Sequence, residues 1–324
     1  MADGSRLGGV TAPTPIVTLI VPGRDIAAFA PAALDSLRAQ TDERWRAILI
    51  DDGSTDDTGA IFADAATRDA RFTVVRHEAS VGLGAARNVG LTRVDTPFTG
   101  FLDADDELMP DALATLVGTL ERTGSDFAAG AYVRLRPQGR GYVPGRVQPW
   151  VAAATSPARL GTTLAEHPQA VSNIVAWSKV SRTEMWSDLR FPEGVAYEDQ
   201  VVAQTMYTRA RAFDVLPDVV VRWRVRPDGT SITQSKAQLP VLRDYLAALR
   251  GGIRVLQEAG AHAAVTARLD LILAMDVAPL REIADTHPDP AYAAEVSAFL
   301  AELRALPEFA DARPDPTLAD ALAW

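Results

Sequence analysis

The chain has no cysteine in its 324 residues. That excludes a disulfide framework, thiolate metal sites and cysteine nucleophiles, and it fits a reducing compartment. Histidine is scarce: His77, His167, His262 and His287 are scattered without ligand spacing and read as ordinary residues. Net positive charge is missing too. A formal charge of -10 argues against nucleic-acid binding, which needs clustered positive surface. There is no long apolar run, since the most apolar late stretch, Leu269 to Leu280, is short and broken by Asp276. Met1 to Pro15 is polar, rich in Gly and Pro, and has no apolar core of signal-peptide length. These absences predict a soluble, cytoplasmic protein, at most peripheral to the inner face of the membrane.

What is present can build a sizeable core, with 48% hydrophobic and 23% charged residues. The length suggests one large α/β domain plus an extension. The pattern divides the chain into a disordered segment 1–15, an α/β domain 16–235 and a helical extension 236–324. The extension carries apolar repeats at Leu239, Leu242, Leu246 and Leu249, which suit packing or self-association into a homo-oligomer.

Ile16 to Val21 is a continuous β-branched run ended by Pro22 and Gly23, as in a strand buried on both faces of a parallel sheet. A second strand, from Trp45, ends in Asp51 and Asp52, and Gly53 permits a tight turn. Phe72 to Val75 is a third, and Phe98 to Leu102 a fourth. Strands alternating with helices predict a mostly parallel sheet flanked by helices, with ligands outside the carboxyl ends of the strands. Asp51, Asp52, Asp103 and Asp105 all fall at that rim.

Four stretches carry candidate chemistry. In an extended backbone Asp103 and Asp105 share a face and Asp106 points away; two such carboxylates suit a hard divalent cation, while the alternative is that Asp105, Asp106 and Asp111 cap a helix starting near Pro110. Gly82 and Gly84 resemble the start of a dinucleotide fingerprint, but Arg87 stands where the third glycine belongs and the segment does not follow the first strand. A lip over a nucleotide diphosphate, with Arg87 as a positive fork, fits better than a nicotinamide or flavin site; a plain loop with a surface arginine is the alternative. Glu198 and Asp199 are neighbours, so at most one looks into a cleft, and Asp199 could instead cap the helix Val201 to Tyr207. Arg222, Arg224 and Arg226 alternate onto one face, either a local positive rim or a solvated edge strand. Arg136 to Pro157, rich in Pro, Gly and Ala, reads as a long mobile connection.

Together, Ile20 to Pro22, Ile50 to Asp56, the Gly84/Arg87/Asn88 segment, Asp103 to Asp105, Tyr197 to Asp199 and Arg226 to Thr233 resemble family 2 glycosyltransferases of the GT-A fold, in the family's order, over roughly Val17 to Gln234. Softer features, Phe191 to Asp199 and Arg222 to Thr233, are similar to actinobacterial glycosyltransferase domains of teichoic-acid or capsule assembly. The resemblance implies an inverting transferase using Mg²⁺ or Mn²⁺, a nucleotide-sugar donor, with UDP the first expectation, and a glycan, polyol-phosphate polymer or lipid-linked acceptor. It places Pro22, Asp52, Arg87, Asp103, Arg226 and Ser231 at the donor: Asp52 at the base, Asp103 at the ribose or metal, and Arg87 with the Arg226 loop near the phosphates. Asp105, with Asp103, would hold the metal, and Asp199 would be the general base. One departure stands out. The family has an aromatic residue and then Asn shortly after the first-strand proline, whereas Gly23-Arg24-Asp25 follows Pro22 here, so the side chain that would stack on the nucleobase is missing. Two other readings remain, a nucleotidyltransferase or nucleotide-sugar hydrolase on the same fold, and a non-catalytic binding or assembly module.

Overall fold

The four apolar runs form parallel neighbours at one side of a sheet: β1 (Val17–Gly23), β2 (Trp45–Asp51), β3 (Phe72–Arg76) and β4 (Phe98–Phe101). β2 and β4 flank β1, and β3 lies outside β2. In this computed structural model residues 13–139, 141–226 and 235–313 are described. The first twelve residues of the expected disordered segment lie outside that set, as does Ser231.

Helices α1 (Ala30–Arg38), α2 (Thr58–Arg68) and α3 (Leu83–Leu91) connect these strands. α3 packs on β1 and β2, close enough that a Cβ at Gly90 would fall 2.5 Å from Ile20 Cγ2. The short β5 (Glu107–Leu108) and helix α4 (Ala112–Thr123) follow.

Beyond β4 the sheet departs from the expected mostly parallel pattern. The order among the described residues is β3-β2-β1-β4-β9-β6-β10-β5, where β6 is Phe127–Gln138, β9 Lys179–Arg182 and β10 Phe213–Arg224. β9 runs antiparallel to both β4 and β6, β10 is parallel to β6, and β5 is antiparallel to β10. The sheet is therefore mixed, because β9 enters between its neighbours from the opposite direction.

The expected mobile connection is ordered as well. β7 (Gly141–Val147) folds back on β6, followed by α5 (Pro149–Thr155) and β8 (Arg159–Thr162), which pairs with β10. Pro137 and Pro144 lie inside the paired strands, Gly139 leaves β6 at φ +58°, and Pro149 opens α5. α6 (Asp199–Arg209) then leads into β10, and α7 (Leu239–Glu258), α8 (His262–Met275), α9 (Val277–Thr286) and α10 (Pro290–Arg304) complete the described chain. α7 lies on α6, and the buried Arg268 of α8 donates to Gln200 Oε1 at 2.6 Å. The C-terminal helices, expected to serve packing or self-association, thus brace the turn that carries Asp199. No described helix is long and apolar enough to cross a membrane.

Candidate active site

Parallel β1, β2 and β4 end at one rim. Asp52 stands there with both carboxylate oxygens in use. Oδ1 accepts from His77 Nδ1 at 2.8 Å and Val81 N at 2.9 Å, and Oδ2 from Ser80 Oγ at 2.7 Å and Gly82 N at 3.0 Å. Burial opposes the charge on Asp52, but the His77, Ser80 and backbone hydrogen bonds outweigh it and hold its carboxyl below the usual range. A carboxylate has about four lone-pair sites. All four are engaged here, and Asp52 shapes the 80–82 loop. Asp51 is also withdrawn from the rim, fully buried, with Oδ1 accepting from Ser54 N at 2.9 Å. His77, expected to be ordinary, follows β3 at the same rim; its position after a strand end was the signal in the sequence. Asp52→Ala strands four donors and is expected to lower stability by about 1–3 kcal/mol. Urea unfolding checks this, and an unchanged midpoint would show that the loop holds itself.

The acidic stretch after β4 is a turn, and the alternation argument fails with the loss of extended backbone. Asp106 N bonds Asp103 O at 2.9 Å, and Ala104 N bonds Pro22 O at 3.2 Å. Arg87, Arg224 and Arg226 meet the four acids of this stretch. Asp103 Oδ1 accepts from Arg87 Nη2 at 2.7 Å, and Asp105 Oδ2 pairs with Arg226 at 2.7 Å. Asp106 Oδ1 accepts from Arg224 N at 2.7 Å, and Glu107 pairs with the Arg224 guanidinium. Burial, then the neighbouring Asp105 and Asp103, push the Asp106 carboxyl well above the carboxylate range. Asp106 is 1% exposed and thus withdrawn from the surface of the turn. Burial also raises Asp105, with Arg226 opposing.

Helix capping does not account for the cluster, because the Asp111 carboxylate at the head of α4 makes no cap bond. The arginine row of β10 is not an open positive rim: Arg222 and Arg224 face Glu107, Arg226 faces Asp105, and the Arg224 guanidinium lies 4.3 Å from the Tyr142 ring of β7. Phe29, an aromatic near this end of β1, lies against Arg224 and Arg226 at 5.4 and 5.6 Å.

Arg87 corrects another expectation. It is 1% exposed and bridges Asp103 to Glu198, so it is a buried strut and not a fork open to phosphates. Burial opposes its charge, but Asp103 and Glu198 together raise its pKa. The rest of α3 clasps the same segment. Asn88 Nδ2 donates to Phe191 O and Glu193 Oε1, and Phe191 N donates to Asn88 Oδ1, each at 2.9 Å. Gly84 is needed because a Cβ there would collide with the Pro192 carbonyl, and Gly82 opens the helix at φ +91°. The two glycines therefore serve packing and turn geometry. Phe191 in turn stacks on Trp186 and meets Phe101 edge-on.

This clasp sets residues 191–199 beside the acidic turn. Tyr197 adopts φ +60°, a strained conformation for a bulky residue and one that concentrates at functional sites. Glu198 then turns inward to Arg87, while Asp199 begins α6 as a partly covered group. No described donor lies within hydrogen-bonding distance of its carboxylate, and the residue before it makes no cap bond either, so the capping reading lapses. Burial, then Glu198, pushes Asp199 up to about 7, with Arg87 opposing.

Residues 18–169 match the model for glycosyl transferase family 2. Over that stretch, just under half of its length, the chain resembles the family. It is 26% identical over 233 residues to the glycosyltransferase GlyA of Streptococcus pneumoniae, covering 71% of this chain and 33% of GlyA. TuaG of Bacillus subtilis, whose name links it to teichuronic acid biosynthesis, is 33% identical over 99 residues, 31% of this chain and 39% of TuaG. The chain thus spans less than half the length of either. Staphylococcus aureus TarS 1–349 in complex with UDP superposes with a TM-score of 0.72 at 21% identity, covering 95% of this chain and 86% of that one. The mannosyltransferase PcManGT of Pyrobaculum calidifontis, in complex with GDP-Man and Mn²⁺, gives 0.56 at 18%, covering 96% and 84%. These likenesses establish the GT-A fold.

Proposed function

We propose that this protein is an inverting, metal-dependent glycosyltransferase that moves a sugar from a nucleotide-diphosphate sugar to an acceptor hydroxyl. The observation that carries the reading is the Asp103–Arg87–Glu198 bridge, which fixes the acidic turn after β4 against the head of α6 and so sets Asp199 beside it. In this reading Asp199 takes the acceptor proton. A base is most effective when its pKa lies near the working pH, and Asp199 at about 7 meets that condition. One carboxylate in that role supports a single displacement with inversion.

Metal dependence rests on Asp105 and Asp103. Each gives one oxygen to an arginine and keeps the other, and no three acidic or imidazole groups converge among the described residues. A hard divalent ion held by two carboxylates plus donor phosphates fits such a pair. When bound it would neutralise charge on the leaving diphosphate. Mn²⁺ beside GDP-Man in PcManGT supports this, as UDP in TarS supports a uridine donor. Placement of Arg226 and Ser231 near the phosphates follows the family pattern. The likeness to TuaG supports a role in surface-glycan synthesis from cytoplasmic donors.

A thermal-shift screen of nucleoside diphosphates and nucleotide sugars, with and without Mn²⁺, tests the donor. A ligand at a hundred times its Kd stabilises by about 2.7 kcal/mol. Asp105→Ala is expected to abolish the Mn²⁺-dependent part of that shift; a full shift in the variant would remove Asp105 as a ligand. Release of nucleoside diphosphate, and not pyrophosphate, distinguishes transfer from nucleotidyl transfer.

A further inference from the structure

Lys179 opens β9. The antiparallel register pairs Thr99 with Ser181 and Gly100 with Val180, so Lys179 falls next to Phe101 at the rim that bears the acidic turn. Its side chain is 3% exposed, and burying an ammonium is costly unless its donors and its charge are both met. The donors are met by neutral oxygens: Asn173 O at 2.7 Å, Asn173 Oδ1 at 3.1 Å and Val175 O at 2.7 Å. The charge is not met at close range, since no described carboxylate pairs with it; burial pushes Lys179 down to about 7, and the opposite charge that opposes this is Asp199. Lys179 and Asp199 line one cavity of about 10 Å³ whose other walls include Phe101, Trp186, Val202 and Met206. Apolar walls let charges act on each other beyond hydrogen-bonding distance.

We propose that Lys179 is a positioning residue for Asp199: its caged ammonium, in the wall shared with the carboxylate, favours the ionised form of Asp199 and so its readiness to accept a proton. This rests on the reading of Asp199 as the base. The other groups acting on Asp199 are Glu198 and Tyr197 beside it, Arg87 from α3, Asp103 after β4, Tyr132 from β6 and Arg268 from α8. Arg87 is spent on Asp103 and Glu198, and Arg268 bonds Gln200. Lys179 and Arg268 are the cations of this set whose hydrogen bonds, among the described residues, go to uncharged oxygens, and of the two Lys179 is the one that lines a cavity together with the carboxylate. The cage has other ties, because Ser178 Oγ donates to Asn173 Oδ1 and Tyr207 Oη to Asn173 O, so a neutral side chain of similar length leaves the loop held.

The test is an infrared titration of the Asp199 carboxyl, read as a difference against Asp199→Asn, in the full chain and in Lys179→Met. The wild-type midpoint is expected near 7, and Lys179→Met is expected to raise it by about one pH unit. Nucleotide-sugar turnover in the variant would then fall about fivefold at pH 7 and recover toward about pH 9. An unmoved midpoint, with turnover lowered equally at every pH, overturns the proposal and leaves Lys179 a structural cross-link. If Lys179→Met does not fold by circular dichroism, Lys179→Arg decides: it keeps the charge while disturbing the cage, so an unchanged midpoint supports the proposal and one raised by about a unit defeats it. Should Asp199→Asn retain full turnover, the base assignment fails, while the titration still reports what Lys179 does to the carboxylate.

Discussion

Asp199→Asn is expected to bind nucleotide sugar and Mn²⁺ as the wild type does and to transfer sugar about 10²- to 10⁴-fold more slowly, the range lost with a general base. The amide keeps the size of the side chain and cannot take a proton. Burial and Glu198 raise the wild-type carboxyl to about 7, so its charged form appears as pH rises through that value. kcat/KM should therefore climb with pH along a limb centred there, and the limb should vanish in the variant. Isothermal titration of the donor beside a product-release assay separates the two effects. Full turnover in the variant would remove Asp199 from the chemistry, and lost donor affinity would make it a binding residue.

Arg87→Leu is expected to be the most destabilising single change at the site, by about 3–5 kcal/mol, the cost of removing one partner from a buried ion pair. Glu198 is 5% exposed and would be left without its countercharge, Asp103 would lose one of its hydrogen-bond donors, and the guanidinium 5.2 Å from the Phe191 ring would disappear. Against a total stability of about 5–15 kcal/mol this is a large fraction. Arg87→Lys should recover little, since one ammonium cannot reproduce a planar fork between two carboxylates. The guanidinium unfolding midpoint decides; a loss below about 1 kcal/mol would place the pair among solvated ion pairs and undo the strut.

Much of this was legible in the sequence because it is local. β1, β2 and β4 are short apolar runs ended by Pro, Gly or Asp, and those signals need no partner. The extended-strand reading of Asp103 and Asp105 failed because the chain turns once β4 ends, a fact set by Ala104 N reaching Pro22 O. Arg87 looked like a surface fork because nothing near it in sequence announces Glu198, 111 residues away. The glycines of its segment resembled a phosphate loop for a similar reason: the backbone they accommodate is Pro192, far along the chain. His77 was passed over because the carboxylate that engages it is 25 residues earlier. The region from Arg136 to Pro157 differs from its loop-like composition because Pro also fits inside an edge hairpin and at a helix start, as Pro137, Pro144 and Pro149 do.

Strand β9 has a consequence for how the polypeptide becomes a single unit. β4 and β6 do not pair with each other; each hydrogen-bonds to β9, which leaves the ribosome only after residue 182. Until then the nascent chain holds two sheet fragments with bare edges, the state that invites sticking to other chains. The stretch matched by the family model ends at residue 169, before that strand. Cut out on its own, it would lack the piece that closes the sheet.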